Sequence, residues 1–179
     1  LGVPAPSRVP LYYRVSSNML TTAQSIQVVG PGTSGEAEAL LLSTKEGIYV
    51  GVGSDHTDRD AEAYSVALSK QACQKPFNPK VWRFDDVVDH WDQLELRAHA
   101  WIDGSRVLYQ DGTLAELRSG QELIDGFGGL PADAAMFCGT IPTLHGLKPA
   151  ERFEATLHDP VLGRTLSHSY DVEVLPAMK

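Results

Sequence analysis

Residues 35–60, GEAEALLLSTKEGIYVGVGSDHTDRD, constrain the fold more than any other stretch of the chain. Two apolar runs flank the polar segment STKEG, which ends in Gly, and this order reads as a β-hairpin. On a strand, Glu36 and Glu38 stand at i and i+2, so both carboxylates project from one face, roughly 7 Å apart. Two like charges on one face repel, and burying them raises their pKa values unless a cation or a basic side chain sits between them. The plain alternative is a solvated edge strand. Immediately after the second run, Asp55, His56, Asp58, Arg59 and Asp60 crowd into one turn. Asp55 follows the strand that neighbours the glutamates, where it can swing in front of both. Three oxygen donors with no paired His or Cys suit a hard ion, Mg²⁺, Mn²⁺ or Ca²⁺, rather than Zn²⁺.

Around this hairpin the pattern is mostly strand. The runs LYYRV and SIQVVG predict two strands separated by loops in the first 35 residues. Thr57 or Asp58 is placed to cap a helix through RDAEAYSVALSKQAC, where Ala61, Tyr64, Leu68 and Ala72 recur at helical spacing, and Pro76 and Pro79 end it. FDDVVDHWDQL predicts a short helical turn. LELRAHAWIDG puts Leu94, Leu96, Ala98, Ala100 and Ile102 on one face of a half-buried strand that turns at Asp103-Gly104. TLAELRSGQELIDGF predicts a helix with a break near Gly120, and AMFCGTIP, RFEATL and SYDVEVL predict three closing strands. The sum is a strand-dominated α+β domain spanning residues 1–179.

Bulk properties narrow the partners. The formal net charge of −8 over 179 residues disfavours nucleic acid and anionic membrane, which attract basic surfaces. No apolar run approaches the roughly 20 residues that cross a bilayer. Cys73 and Cys138 have neither metal-ligand nor CxxC spacing, which predicts a reduced, cytoplasmic protein. No GxSxG, GxxxxGK or GxGxxG signature is present, so serine-hydrolase and nucleotide-binding chemistry lack support. A small solute is the expected partner. His56 beside Asp55 is a candidate general base, with helix capping or solvent exposure as its alternatives. Trp82, Trp91 and Trp101 read as core or subunit-interface anchors.

The ordered set E-x-E on a strand, SDHTDRD after the next strand, and a Lys at the end of the following helix resembles the fumarylacetoacetate hydrolase superfamily. PLYYRVSS is similar to that superfamily's first strand, YQDGT to its Gln-containing turn, MFCGTIP to its Gly-Thr-Pro strand end and FEATLHDPVLG to its closing hairpin, so the resemblance runs along nearly the whole chain. TSGEAE, GSDHTDR, SKQ, MFCGT and DPVLGR resemble, more narrowly, a subgroup of uncharacterised bacterial proteins within it. The resemblance implies a mixed β-sandwich roll with a few short helices, of the C-terminal catalytic domain type. It implies Glu36, Glu38 and Asp55 as ligands of Mg²⁺ (or Mn²⁺ or Ca²⁺). Arg59 and Lys70 become cationic contacts to the substrate, with Gln110 and Thr140 further substrate contacts. The implied activity is metal-dependent chemistry on a small 2-oxo or β-diketo acid through a metal-bound enolate. C–C bond hydrolysis leads, decarboxylation and enol–keto isomerisation on the same fold follow, and a non-catalytic metal-dependent binding protein is the rival. A homodimer is also implied. Two features depart from the superfamily's pattern: its lid segment with a His and Glu pair would lie upstream of Leu1, and position 62 is Glu where many members carry Gln.

Overall fold

A computed structural model describes residues 9–176. Alternation of apolar and polar residues builds two sheets that face each other. The larger is assembled from β1 (Ser25–Val29), β5 (Glu95–Ile102), β6 (Ser105–Thr113), β8 (Arg152–Asp159) and β9 (Arg164–Leu175), in the order β6-β5-β8-β9-β1. The smaller contains β2 (Ala37–Thr44), β3 (Gly47–Ser54), β4 (Trp82–Arg83) and β7 (Ala134–Thr140), in the order β7-β2-β3-β4. Within these two sheets every pairing is antiparallel except β9 with β1. The core lies between the sheets. Ala37, Ala39, Leu41, Val50 and Val52 of the smaller sheet join Leu96, Ala98, Ala100, Phe153, Ala155 and Leu157 of the larger in one buried cluster. This is the strand-dominated α+β roll expected from the sequence.

The hairpin forms as predicted, with Ala37 opposite Ser54 and Glu38 opposite Gly53. Because Ala37, Ala39 and Leu41 face the core, period-two alternation turns Glu38 and Leu40 to the outer face of the smaller sheet. The turn at Asp103 and Gly104 also forms, both residues having positive φ (51° and 73°), the geometry of a tight two-residue hairpin.

Two local predictions are corrected. LYYRV forms no strand; residues 11–16 have no regular structure and run across the outer face of the smaller sheet. The helix expected from Arg59 to Cys73 is two short helices, α1 (Arg59–Glu62) and α2 (Val66–Gln71), because Ser65 adopts an extended conformation and its hydroxyl accepts from Leu68 N, starting a second helix. The break expected near Gly120 does form: a 3-10 turn over Leu114–Glu116 ends ahead of residues 117–119, and Gly120 opens α3 (Gly120–Phe127) behind a capping box made by Ser119 and Glu122.

Candidate metal centre

The outer face of the smaller sheet carries the predicted carboxylates. Oxygens of Glu36, Glu38 and Asp55 all lie within 4.8 Å of one another. Asp55 is brought there by its position one residue beyond β3, and its backbone N–H donates to the carbonyl of Glu36 at 2.9 Å. The three carboxylates open into a cavity of about 840 Å³ whose walls come from residues 9–17, from residues 116–118, from α3 and from β7.

Glu38 is the most constrained of the three. It is only 4 % exposed, and the backbone N–H of Gly139 donates to it at 2.7 Å. Gly139 sits in an irregularity of β7 with φ +96°, a backbone region that glycine enters without cost and that turns the N–H toward the glutamate. Burial, followed by the nearby charges of Asp55 and Glu36, holds the Glu38 carboxyl well above its ordinary pKa. Glu36 and Asp55 are better compensated. Lys70 Nζ reaches Glu36 Oε2 at 2.6 Å, Asp55 Oδ2 at 2.8 Å and Thr57 Oγ1 at 3.0 Å, which uses all three ammonium donors. Burial pushes the Lys70 pKa down, but Glu36 and Asp55 outweigh it and leave the pKa raised.

Lys75 is the site residue that the sequence reading missed. Its ammonium, in a residue only 2 % exposed, pairs with Asp55 Oδ1 at 2.8 Å and donates to the carbonyl of His56. These contacts use two of its three donors, and Lys75 lines the cavity. Lys75–Pro76 pairs in parallel with Leu20–Thr21, and Phe77 bridges to Gly53, so the segment lies flat across the outer face of β3. Only glycine at position 53 permits this approach: a Cβ there would stand 2.6 Å from the Pro76 carbonyl oxygen. The available signal is the dipeptide Lys75-Pro76, a lysine in the extended segment just beyond the helix, whereas Lys70 stands inside the helix near its end.

Three other expected residues lie behind the site instead of in it. Arg59 is not among the described residues that line the cavity. Its guanidinium pairs with Glu36 Oε1 at 2.8 Å and Glu62 Oε2 at 2.9 Å, and its Nε donates to Ser34 Oγ, so it orients Glu36 from the far side. Glu62, the departure from the superfamily pattern, is thereby neutralised. His56 is 1 % exposed and is also absent from the lining. Tyr170 gives its hydroxyl hydrogen to Ser54 Oγ, so a neutral His56 donates from Nδ1 to the Tyr170 oxygen and accepts from Thr33 at Nε2. Burial, then the charges of Lys75 and Arg59, push the His56 pKa down to about 3, and the enclosed ring cannot serve as the general base expected of it. Gln110 is fully buried: its carbonyl accepts from Ala37 N, while its amide donates to Thr140 Oγ1 and to the carbonyl of Ile141. Thr140 does line the cavity, but its hydroxyl donates to Ala37 O. Gln110 and Thr140 together clasp β6, β2 and β7 at the root of the glutamates.

The donor set fits a hard divalent ion. Three carboxylates converge, and Glu38 in particular is buried beside two like charges with one N–H donor, a position that a cation would relieve.

The sequence matches the family described as "Protein of unknown function (DUF2848)" over residues 1–170. The chain belongs to the DUF2848 family. No curated protein matches it in sequence. Solved structures resemble this DUF2848 chain in fold. 2-Keto-3-deoxy-D-arabinonate dehydratase, complexed with magnesium and 2,5-dioxopentanoate, superposes with a TM-score of 0.69 at 17% identity, covering 91% of this chain and 62% of the dehydratase. A crystal structure of Cg1458 superposes at 0.65 with 17% identity, covering 89% of this chain and 67% of that one. This DUF2848 chain thus spans somewhat less than two thirds of the dehydratase. At this identity the likeness is one of fold alone. Among the described residues no helix is long and apolar enough to cross a membrane.

Proposed function

We propose that this DUF2848 chain is a divalent-metal-dependent enzyme acting on a small 2-oxo or β-diketo acid, with C–C bond hydrolysis as its reaction and Mg²⁺ as its ion. The convergence of Glu36, Glu38 and Asp55 within 4.8 Å in a cavity also lined by Lys70 and Lys75 carries this reading. The magnesium and dioxo acid held by the dehydratase of like fold support it. Glu36, Glu38 and Asp55 hold the ion, which when bound acts as a Lewis acid toward the oxygens of a chelating acid. Arg59 and Lys70 keep Glu36 and Asp55 aimed into the cavity. Lys75, with one donor unspent, offers a hydrogen bond to a substrate oxygen as negative charge develops there. Thr140 and Gln110 hold the strands that carry the glutamates. His56, neutral and enclosed, moves no proton; its carbonyl positions Lys75.

A purely ionic network is the alternative with an observation behind it, because Lys70, Lys75 and Arg59 neutralise Glu36 and Asp55. It leaves Glu38 uncompensated, which favours the metal. The test has two stages. Calorimetric titration with Mg²⁺ and Mn²⁺, and a thermal melt against EDTA, should show binding and a raised melting point in the parent and neither in Glu38→Gln. Turnover of acetylpyruvate and oxaloacetate by the full-length protein then separates enzyme from binder. Failure to bind either ion sinks the reading. A homodimer forms part of this proposal, and light scattering at micromolar concentration decides it.

A further inference from the structure

The carboxylates and lysines occupy only part of the cavity. Much of its remaining wall is apolar: Leu11, Val15 and Leu20 come from the segment that crosses the outer face, Leu117 and Phe127 from the ends of the capped loop and α3, and Phe137 from β7, with Arg14, Glu116, Arg118 and Asp133 interspersed among them. This wall abuts the charged floor. Leu117 Cδ2 lies 4.0 Å from where a Cβ on Gly139 would stand, and Gly139 is the residue whose N–H holds Glu38. Phe137 Cε1 lies 3.2 Å from the corresponding point on Gly53, which pairs with Glu38 across the hairpin. The wall is also pinned in place, since Tyr12 donates to the Leu123 carbonyl at 2.9 Å and stacks edge-on against Phe127 at 5.2 Å. At about 840 Å³ the cavity falls in the range that encloses most of a drug-sized ligand, far more room than a three- or four-carbon oxo acid fills.

We infer that the acid taken by this site carries an apolar tail, an alkyl or aryl group that runs from the chelating oxygens along Leu117, Phe127 and Phe137 under residues 11–17. The inference rests on the preceding reading of the site as a metal-dependent oxo-acid site, and it narrows the substrate class to acylpyruvate-like acids with an extended hydrophobic acyl group. Half-buried apolar side chains gain from a tail that removes them from water, and affinity rises about fourfold for each methylene so covered.

The experiment is calorimetric titration, at saturating Mn²⁺, with 2,4-dioxo acids bearing methyl, butyl, heptyl or phenyl groups at the distal carbonyl, together with one bearing a carboxyethyl group. Affinity is expected to climb about fourfold per methylene over the first several carbons and to fall for the carboxyethyl acid. The ratio of heptyl to methyl affinity is expected to drop in Leu117→Asn, and also in Ala135→Phe, which takes up space in the same cavity. Metal-dependent binding of the methyl acid without any rise along the series overturns the tail and leaves the oxo-acid reading standing. Tighter binding of the carboxyethyl acid than of the butyl acid also overturns the tail, as does an unchanged ratio in both variants. If no member binds with Mn²⁺ present, both readings fall.

Discussion

Gly53→Ala is the sharpest test of how the fold builds the site. The added methyl would stand 2.6 Å from the Pro76 carbonyl oxygen and 2.8 Å from Phe77 Cβ. To restore ordinary contact at 3.4 Å, the Pro76 carbonyl must retreat by about 0.8 Å. Retreat is resisted from both sides: Lys75–Pro76 is paired to Leu20–Thr21, Phe77 N donates to Thr21 O, and Asn78 N donates to Val52 O, both at 2.9 Å. The cost belongs with overpacking of a tight contact, about 2 kcal/mol, which in a chain of this size lowers the melting temperature by roughly 4–8 °C. Because the displaced segment carries Lys75, its pair with Asp55 should lengthen as well, and turnover should fall with stability. Gly51→Ala is the control. It lies on the same face of the same strand, but its Cβ would meet nothing closer than Val81 at 3.5 Å. The expectation there is no loss, or a gain of up to about 1 kcal/mol from the reduced freedom of the unfolded chain. Calorimetry and urea denaturation of the two variants side by side give the answer. If Gly53→Ala melts with the parent, or if both variants lose stability equally, the account of Gly53 as the seat of the Lys75 segment is wrong.

Two further outcomes follow from the charges. The Glu38 pKa is raised in the fold, chiefly by burial and then by Asp55 and Glu36, so its contribution to stability is complete below the ordinary value of 4.5 and is lost as pH rises toward the folded value. Protein kept in EDTA should therefore lose stability on going from pH 4.5 upward, and Glu38→Gln should flatten that slope; parallel urea midpoints for the two proteins would refute the assignment. The lysines should also separate. Lys75→Met, which removes the unspent donor, is expected to lower kcat by about 10²- to 10³-fold. Lys70→Met is expected instead to cost about 3 kcal/mol of stability in EDTA, part of which Mn²⁺ restores as a second cation takes over. Equal effects of the two variants on kcat and on melting would remove the distinction.

Local pattern made the hairpin legible, because alternation fixes which face Glu36 and Glu38 share and the turn length fixes where Asp55 emerges. The same logic left Thr57 or Asp58 as the cap of α1, and Asp58 fills that place, its side chain accepting from Asp60 N and Ala61 N. What stayed hidden depends on contacts distant in sequence. LYYRV has strand-like residues but no neighbouring strand to pair with, so it became a cavity wall. Lys75 reaches Asp55 only because its segment folds over Gly53, and no periodicity in residues 72–79 encodes that. Arg59 carries the expected charge, yet Glu62 and Ser34 draw it behind Glu36. His56 sits beside a ligand in sequence but points to the opposite side of the strand, into a hydroxyl pocket made by Thr33 and Tyr170.

The clasp formed by Gln110 and Thr140 also bears on the order of folding. Gln110 reaches Ala37 across 73 positions, Thr140 reaches Ala37 across 103, and Gly139 reaches Glu38 across 101. The β2–β3 hairpin closes locally, but these three closures require β6 and β7 to have docked, and long-range closures come late because their entropy must be met first. Glu36 and Glu38 then spend most of the folding reaction in water, and the carboxylate cluster is completed only on the native side of the barrier. Divalent ions should accordingly slow unfolding and leave the refolding rate unchanged, a split that stopped-flow fluorescence of the three tryptophans can read directly.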